Sequence, residues 1–296
     1  MAQVSTVPPP EGFGATMRRD LWWAGPLATF LGLSAFVIYG TYIIFAVPGY
    51  FEIRQNPSDF FKPDNPAVAP YLAPFHSPLL FDAQSKHAWV KQARPSWWPS
   101  WFLFNSAMLI LIIPLGFRFT CYYYRKAYYR AFWADPPACA VGEPRKSYWG
   151  ENRWPLLLQN IHRYFMYFAW FILLVLWWDA LSAFWWPTER SGNPRSSGGQ
   201  IGVGLGTLIM VINCVFLTGY TFGCHSFRHL IGGRLNCFTC ANNPNRLKTG
   251  FKLWKISTWF NERHMLWAWL SLCSVGFTDF YIRMCAAGNW TDPRLI

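Results

Sequence analysis

HRYFMYFAWFILLVLWWDALSAFW, residues 162–185, carries one charged side chain beyond Arg163, that of Asp179. A hydrocarbon core about 30 Å thick needs roughly 20 helical residues to cross it. Inside that core every backbone N–H and C=O has to be bonded within the segment, so a run this long and continuous is a helix. A barrel strand would alternate in polarity and be about half the length. Four other runs read the same way, at about 21–47, 98–122, 201–222 and 264–286. The predicted fold class is therefore an all-α integral membrane protein, with five transmembrane helices in a single membrane domain over residues 1–296.

The composition agrees. Of the 296 residues 53% are hydrophobic and 20% aromatic, whereas only 14% are charged. An ordinary soluble domain carries about 25% charged residues. The net charge of +12 forms no continuous basic stripe, which argues against a nucleic-acid partner. Lys and Arg fall instead in blocks between the apolar runs. With the N-terminus inside, 17 of the 26 lie on the inner side: Arg18 and Arg19, the block 118–153, Arg163, and the block 228–263. The positive-inside rule places the N-terminus in the cytoplasm and the C-terminus outside. Loops 123–161 and 223–263 are then inner, and the Pro-rich loop 48–97 is an outer, irregular cap. Arg18 and Arg19 precede a first run long enough to remain as an anchor, which distinguishes it from a cleavable signal. Trp pairs at 22–23, 97–98, 177–178 and 185–186 sit near the expected membrane edges, where amphipathic rings prefer to lie.

On this topology the inner face collects Cys121, Cys139, His162, Cys224, His225, His229, Cys237, Cys240 and His264. That face meets a reducing compartment, where thiols more naturally ligate metal than form disulfides. His225 and His229 are spaced i, i+4 and share a side if helix four continues past the bilayer. Two His with two Cys is the ligand set of a Rieske-type [2Fe-2S] centre, although the usual soluble Rieske motif is absent. Cys237 and Cys240 form a CxxC that, with Cys224, suits either a zinc knot or loop packing. Cys214, Cys273 and Cys285 read as small buried hydrophobes. Asp179 and Asp279 are too costly to face lipid and are expected at the bundle interior or the outer interface. The run CYYYRKAYYR (121–130) reads as an interfacial helix or as a docking face for a soluble partner.

The strings FRFTCYYYRKAYYRAFW (117–133), PPACAVGEP (136–144), LLLQNIHRYFMYFA (156–169), CHSFRHLIGGRL (224–235) and NERHMLWAW (261–269) resemble the five-helix membrane anchor of mycobacterial Sdh1-like succinate dehydrogenases. The resemblance implies an SdhC-type anchor in the bacterial cytoplasmic membrane, holding a flavoprotein subunit and an iron-sulfur subunit and passing succinate electrons to menaquinone. It also implies a membrane-region Rieske-type [2Fe-2S] centre in place of haem. The expected ligands are Cys121, Cys139, His225 and His229, with Cys224, His162 and His264 in reserve. Phe227 departs from the family string, which is expected to hold a second Cys there. By type and location, Tyr123, Tyr124, Arg125, Arg163, Tyr164 and Trp267 are the expected quinone-binding residues. Two other readings remain open on the residues alone. One is a haem b anchor, ligated by His162 with His229 or His264; the other is a transporter or assembly scaffold with a structural zinc site.

Overall fold

The structure is a computed structural model, which describes residues 12–46, 51–53, 71–85, 87–147, 150, 152–154, 156–187, 199–232 and 244–295. Four of its helices are long and apolar enough to cross a membrane: α1 (Ala24–Ala46), α4 (His162–Ser182), α5 (Leu205–Phe222) and α8 (His264–Ala286). The expected run at 98–122 is realised differently, as α2 (Ser106–Phe119) followed after a bend by α3 (Tyr122–Phe132). With 14 residues α2 extends about 21 Å, short of a bilayer core. Its start is set by Asn105, whose side-chain oxygen accepts the Ala107 N–H at 3.0 Å and caps the first turn. Its end is set at Thr120 and Cys121, where Cys121 is extended and the Tyr128 hydroxyl donates to the exposed Phe119 carbonyl at 3.0 Å. Among the described residues there are thus four helices able to span singly, or five spans if the bent pair counts as one.

Two further helices occupy the stretch expected as an inner loop, α6 (His225–Gly232) and α7 (Pro244–Glu262). A short antiparallel ribbon, β1 (Trp185–Pro187) with β2 (Gly199–Ile201), is an exception to the all-α expectation. The chain divides into two compact units, one of Met1–Tyr39 with Arg118–His162 and one of Gly40–Phe117 with Arg163–Ile296.

In the first unit the N-terminal segment is laced to the loop after α3. Gly14 N–H donates to Gly142 O at 3.0 Å, Gly142 N–H to Ala15 O at 2.8 Å, and the Arg18 guanidinium to Cys139 O at 2.9 Å. Residues 12–20 and 139–142 are therefore held together. Phe30 of α1 meets Phe132 of α3 at 4.8 Å.

In the second unit α5 packs along α8. Gly219 makes this approach possible, because a Cβ there would lie 2.6 Å from the Trp267 ring. Gly219→Val is expected to cost about 1–3 kcal/mol through overpacking, read as a lower melting temperature of the purified assembly. The apolar core gathers toward the other end of α5 and α8, around Tyr71, Leu79, Ile110, Ile172, Met210 and Ile282.

At that end lies a buried polar network. Asp279 and Arg283 form an ion pair at 2.6 Å, with side chains 0% and 5% exposed. Asp279 also accepts the Phe75 N–H at 3.2 Å, and Arg283 donates to His76 Nδ1 at 3.0 Å. Since arginine only donates, the His76 proton is on Nε2, which donates to Asn105 Oδ1 at 2.8 Å. The Asn105 amide then reaches Ile44 O at 3.1 Å, and Ser77 donates to the Asp179 carboxylate. Both intramembrane acids thus face this interior network rather than lipid.

Burial pushes the His76 imidazole down to about 3, and the Arg283 charge acts in the same direction. A free imidazole titrates near 6.5, so between about 6.5 and 3 the unfolded chain binds a proton that the native chain does not. Stability is therefore lost as pH falls through this window, by about 2 kcal/mol at pH 5 from this group alone. Thermal unfolding of the complex between pH 7.5 and 5 is expected to be less pH-dependent in His76→Gln. Equal slopes for the two proteins would contradict a buried neutral His76.

Candidate functional site

The opposite end of the second unit is built where α5 stops. Gly223 and Cys224 break the chain there, so His225 and His229 lie on the separate α6 rather than on a continuation of the fourth span, as the sequence suggested. The last carbonyls of α5 would be orphaned at such a break. Helix α7 satisfies them: Ser257 donates to Phe222 O at 3.0 Å and Asn261 to Gly223 O at 2.7 Å. Gly223 lets α8 approach, since a Cβ there would lie 2.9 Å from His264 Nδ1.

These contacts assemble an aromatic cluster. The His264 ring stacks on Tyr220 at 4.9 Å, and Phe117 meets the same Tyr220 edge-on at 5.4 Å. Trp267 lies 5.6 Å from Phe260, which is 6.1 Å from Phe222. Trp170 of α4 lies 4.7 Å from Phe222 and 5.0 Å from Phe227. Phe227, the departure from the family string, is thus a wall residue of this cluster. Two indole N–H groups in it, Trp170 Nε1 and Trp267 Nε1, are buried and have no acceptor among the described residues. A buried donor without an acceptor costs about 1–3 kcal/mol, so each of the two marks a point where an acceptor is to be supplied.

His225 and His229 meet edge-on, with ring centroids 5.9 Å apart. Burial first, then His229 and Arg228, holds His225 below the ordinary imidazole range, which favours the neutral, ligating form. With metal–nitrogen bonds of about 2 Å, two rings at this separation can share one ion. Cys224, next in the chain, is buried.

The remaining expected residues belong to the first unit or to the surface. Cys121 is buried at the N-terminus of α3, Cys139 is exposed, and His162 Nδ1 shares a hydrogen bond with Thr120 at 2.8 Å. The Arg118 guanidinium donates to the Tyr124 hydroxyl at 2.6 Å, Tyr123 packs on Tyr124 at 5.6 Å, and Arg125 lies over Tyr122 at 4.5 Å. Arg163 and Tyr164 are exposed at the start of α4. Of the six expected quinone-binding residues, Trp267 lies in the aromatic cluster, which also holds the unforeseen Trp170, Tyr220 and Phe260. Cys237 and Cys240 lie outside the described residues. Among the described residues no group of three or more His, Cys, Asp or Glu is arranged to hold a metal ion. The imidazole half of a Rieske-type set therefore fits, while the described residues do not gather a complete one.

These features define a multi-pass helical membrane protein with an aromatic, donor-bearing site at one end of its bundle. A family model, actinobacterial succinate dehydrogenase subunit SdhC, matches residues 24–288, and the chain belongs to that family. It is thus a membrane subunit, without the catalytic head, of a succinate dehydrogenase, and a multi-pass protein of the bacterial cytoplasmic membrane. Among solved structures it is similar to a chain of the Mycobacterium smegmatis Sdh1 complex in the apo form, at 41% identity and a TM-score of 0.72. The likeness covers 95% of this chain and 94% of that one. Among curated proteins none matches.

Proposed function

We propose that this chain is the quinone-reducing anchor of a succinate:menaquinone oxidoreductase, holding a flavoprotein subunit and an iron-sulfur subunit at its cytoplasmic face. The charge distribution supports this placement. On the positive-inside rule the end bearing α6, α7 and the start of α8 faces the cytoplasm, with the N-terminus inside and the C-terminus outside.

The observation that carries the quinone reading is the pair of buried indole donors. A quinone is a flat apolar ring with two carbonyl acceptors and no donor, so it needs aromatic walls and N–H or O–H groups not already committed to protein acceptors. Trp170 and Trp267 meet that need within walls formed by Phe222, Phe227 and Phe260. Reduction delivers two electrons and two protons to the ring and leaves a quinol. The indoles hold a carbonyl oxygen as negative charge builds on it, which favours reduction. They do not give up their protons, and His264, stacked on Tyr220 beside them, has the chemistry to pass one.

Within the same proposal, His225, His229, Cys121 and Cys139 are the residues that would hold a Rieske-type [2Fe-2S] centre. Cys224 is the alternative thiolate, and His162 and His264 are the alternative imidazoles. When bound, such a centre supplies a one-electron carrier whose imidazole ligands raise its potential above that of an all-Cys cluster. The adjacency of the two imidazoles on α6 supports the choice, as does the burial that holds His225 below the ordinary imidazole range. Electron paramagnetic resonance of the reduced complex tests it. A low-average-g signal is expected in the wild type and in Cys273→Ala and is expected to vanish in His229→Ala and in Cys121→Ala. Its survival in both ligand variants would contradict this ligand set, and a haem Soret band without acid-labile sulfide in the anchor would replace the cluster with haem b.

A further inference from the structure

Helix α7 carries 19 residues, yet it holds too many charges to cross a bilayer. One face is fully used. Trp254, Ser257, Thr258 and Asn261, spaced i, i+3, i+4 and i+7, pack on α6 and on the end of α5. Gly232 fits beneath the Trp254 ring, Arg228 donates to Thr258 at 3.0 Å, and Ser257 and Asn261 hold the carbonyls described above.

The opposite face is both apolar and basic. Leu253, Ile256 and Trp259 are 46%, 51% and 48% exposed, far more than packing inside a protein would leave them. Beside them stand Lys252, Lys255 and Arg263, against the single carboxylate of Glu262. Two of the cations are seated on rings, Lys255 over Phe251 at 4.6 Å and Arg263 over Trp259 at 4.6 Å. Next along the chain, Met265 and Leu266 on the first turn of α8 are likewise 62% and 51% exposed, on a helix long and apolar enough to span a membrane.

We infer that α7 lies in the membrane interface as a binding surface for anionic phospholipid. Its apolar border enters the acyl boundary, and Lys252, Lys255 and Arg263 meet the phosphates. The strip borders the aromatic cluster, with Trp259 4.9 Å from Phe260 and 6.2 Å from Trp267, but it does not depend on which redox group serves that cluster. Continuity with α8 favours lipid over a soluble protein, and the excess of cations favours an anionic headgroup over a zwitterionic one.

The test uses the intact complex, purified in detergent and stripped of lipid, with thermal unfolding followed during titration with phosphatidylglycerol or phosphatidylcholine. Phosphatidylglycerol is expected to raise the melting temperature in a saturable way, and phosphatidylcholine far less. At about fivefold per cation, K252Q/K255Q/R263Q is expected to raise the half-saturating phosphatidylglycerol concentration at least tenfold, while K252R/K255R/R263K leaves it unchanged. The glutamine variant is expected to retain its partner subunits and its rate with a soluble electron acceptor. An unchanged midpoint, an equal response to phosphatidylcholine, or the same shift from inorganic phosphate would each overturn the inference. Loss of the partner subunits from the glutamine variant would also overturn it, assigning the face to protein docking.

Discussion

Arg283→Met is expected to destabilise the protein by about 3–5 kcal/mol, because it strips the partner from a carboxylate that has no exposure to solvent. Asp279 would lose the guanidinium while keeping the Phe75 N–H, and His76 would lose the donor to its Nδ1. The loss passes along the chain of bonds through Asn105 to α1, so the cap formed by residues 71–85 loosens with it. For a chain of this size the effect corresponds to a fall in melting temperature on the order of 10 °C, measured by thermal challenge and size exclusion of the intact complex. The double variant D279L/R283M removes both charges and is expected to recover most of the loss, since a buried pair contributes little net stability once both partners go. A single variant that melts within 2 °C of the wild type would contradict the network.

The second large effect falls on catalysis. Trp170→Phe with Trp267→Phe keeps the aromatic walls and removes both indole donors. Each donated hydrogen bond is worth about 0.5–1.5 kcal/mol net to a bound acceptor, so with both lost kcat/KM for menaquinone is expected to fall by about 10- to 100-fold. Succinate oxidation with a soluble artificial acceptor, which bypasses the anchor, is expected to be unchanged. The two rates separate a donor role from a folding defect, because a misfolded anchor would shed the head subunits and lose membrane-bound activity of both kinds.

How much of this was legible in the sequence follows from which contacts are local. The runs that became α1, α4, α5 and α8 read directly, because a bilayer requires length and apolarity whatever the tertiary partners are. The run at 98–122 misled on its bounds. Asn105 caps the helix inside that run, and the break at Thr120–Cys121 depends on bonds from Arg118 and Tyr128 that hydropathy does not register. The inner end was partly readable. His225 and His229 stood out by spacing, but a Gly at 223 ending the helix was the signal that they begin a new one. Trp170 was hidden, because a Trp inside an apolar run looks like a lipid-facing residue until Phe222 and Phe227 are known to surround it. His76 was hidden for a similar reason: a lone His in a Pro-rich loop means little without Arg283, 207 positions away.

The central claim is that quinone is reduced at the aromatic end of α4, α5 and α8, next to α6. Photoaffinity labelling of the intact complex with an azido-menaquinone, followed by peptide mass spectrometry, tests it most directly. The expected result is labelling of peptides containing Trp170, Phe222, Phe227 and Trp267 that is suppressed by excess menaquinone. Competed labelling confined to peptides around His76, Asp179 and Asp279 would place the quinone at the opposite end and contradict the account.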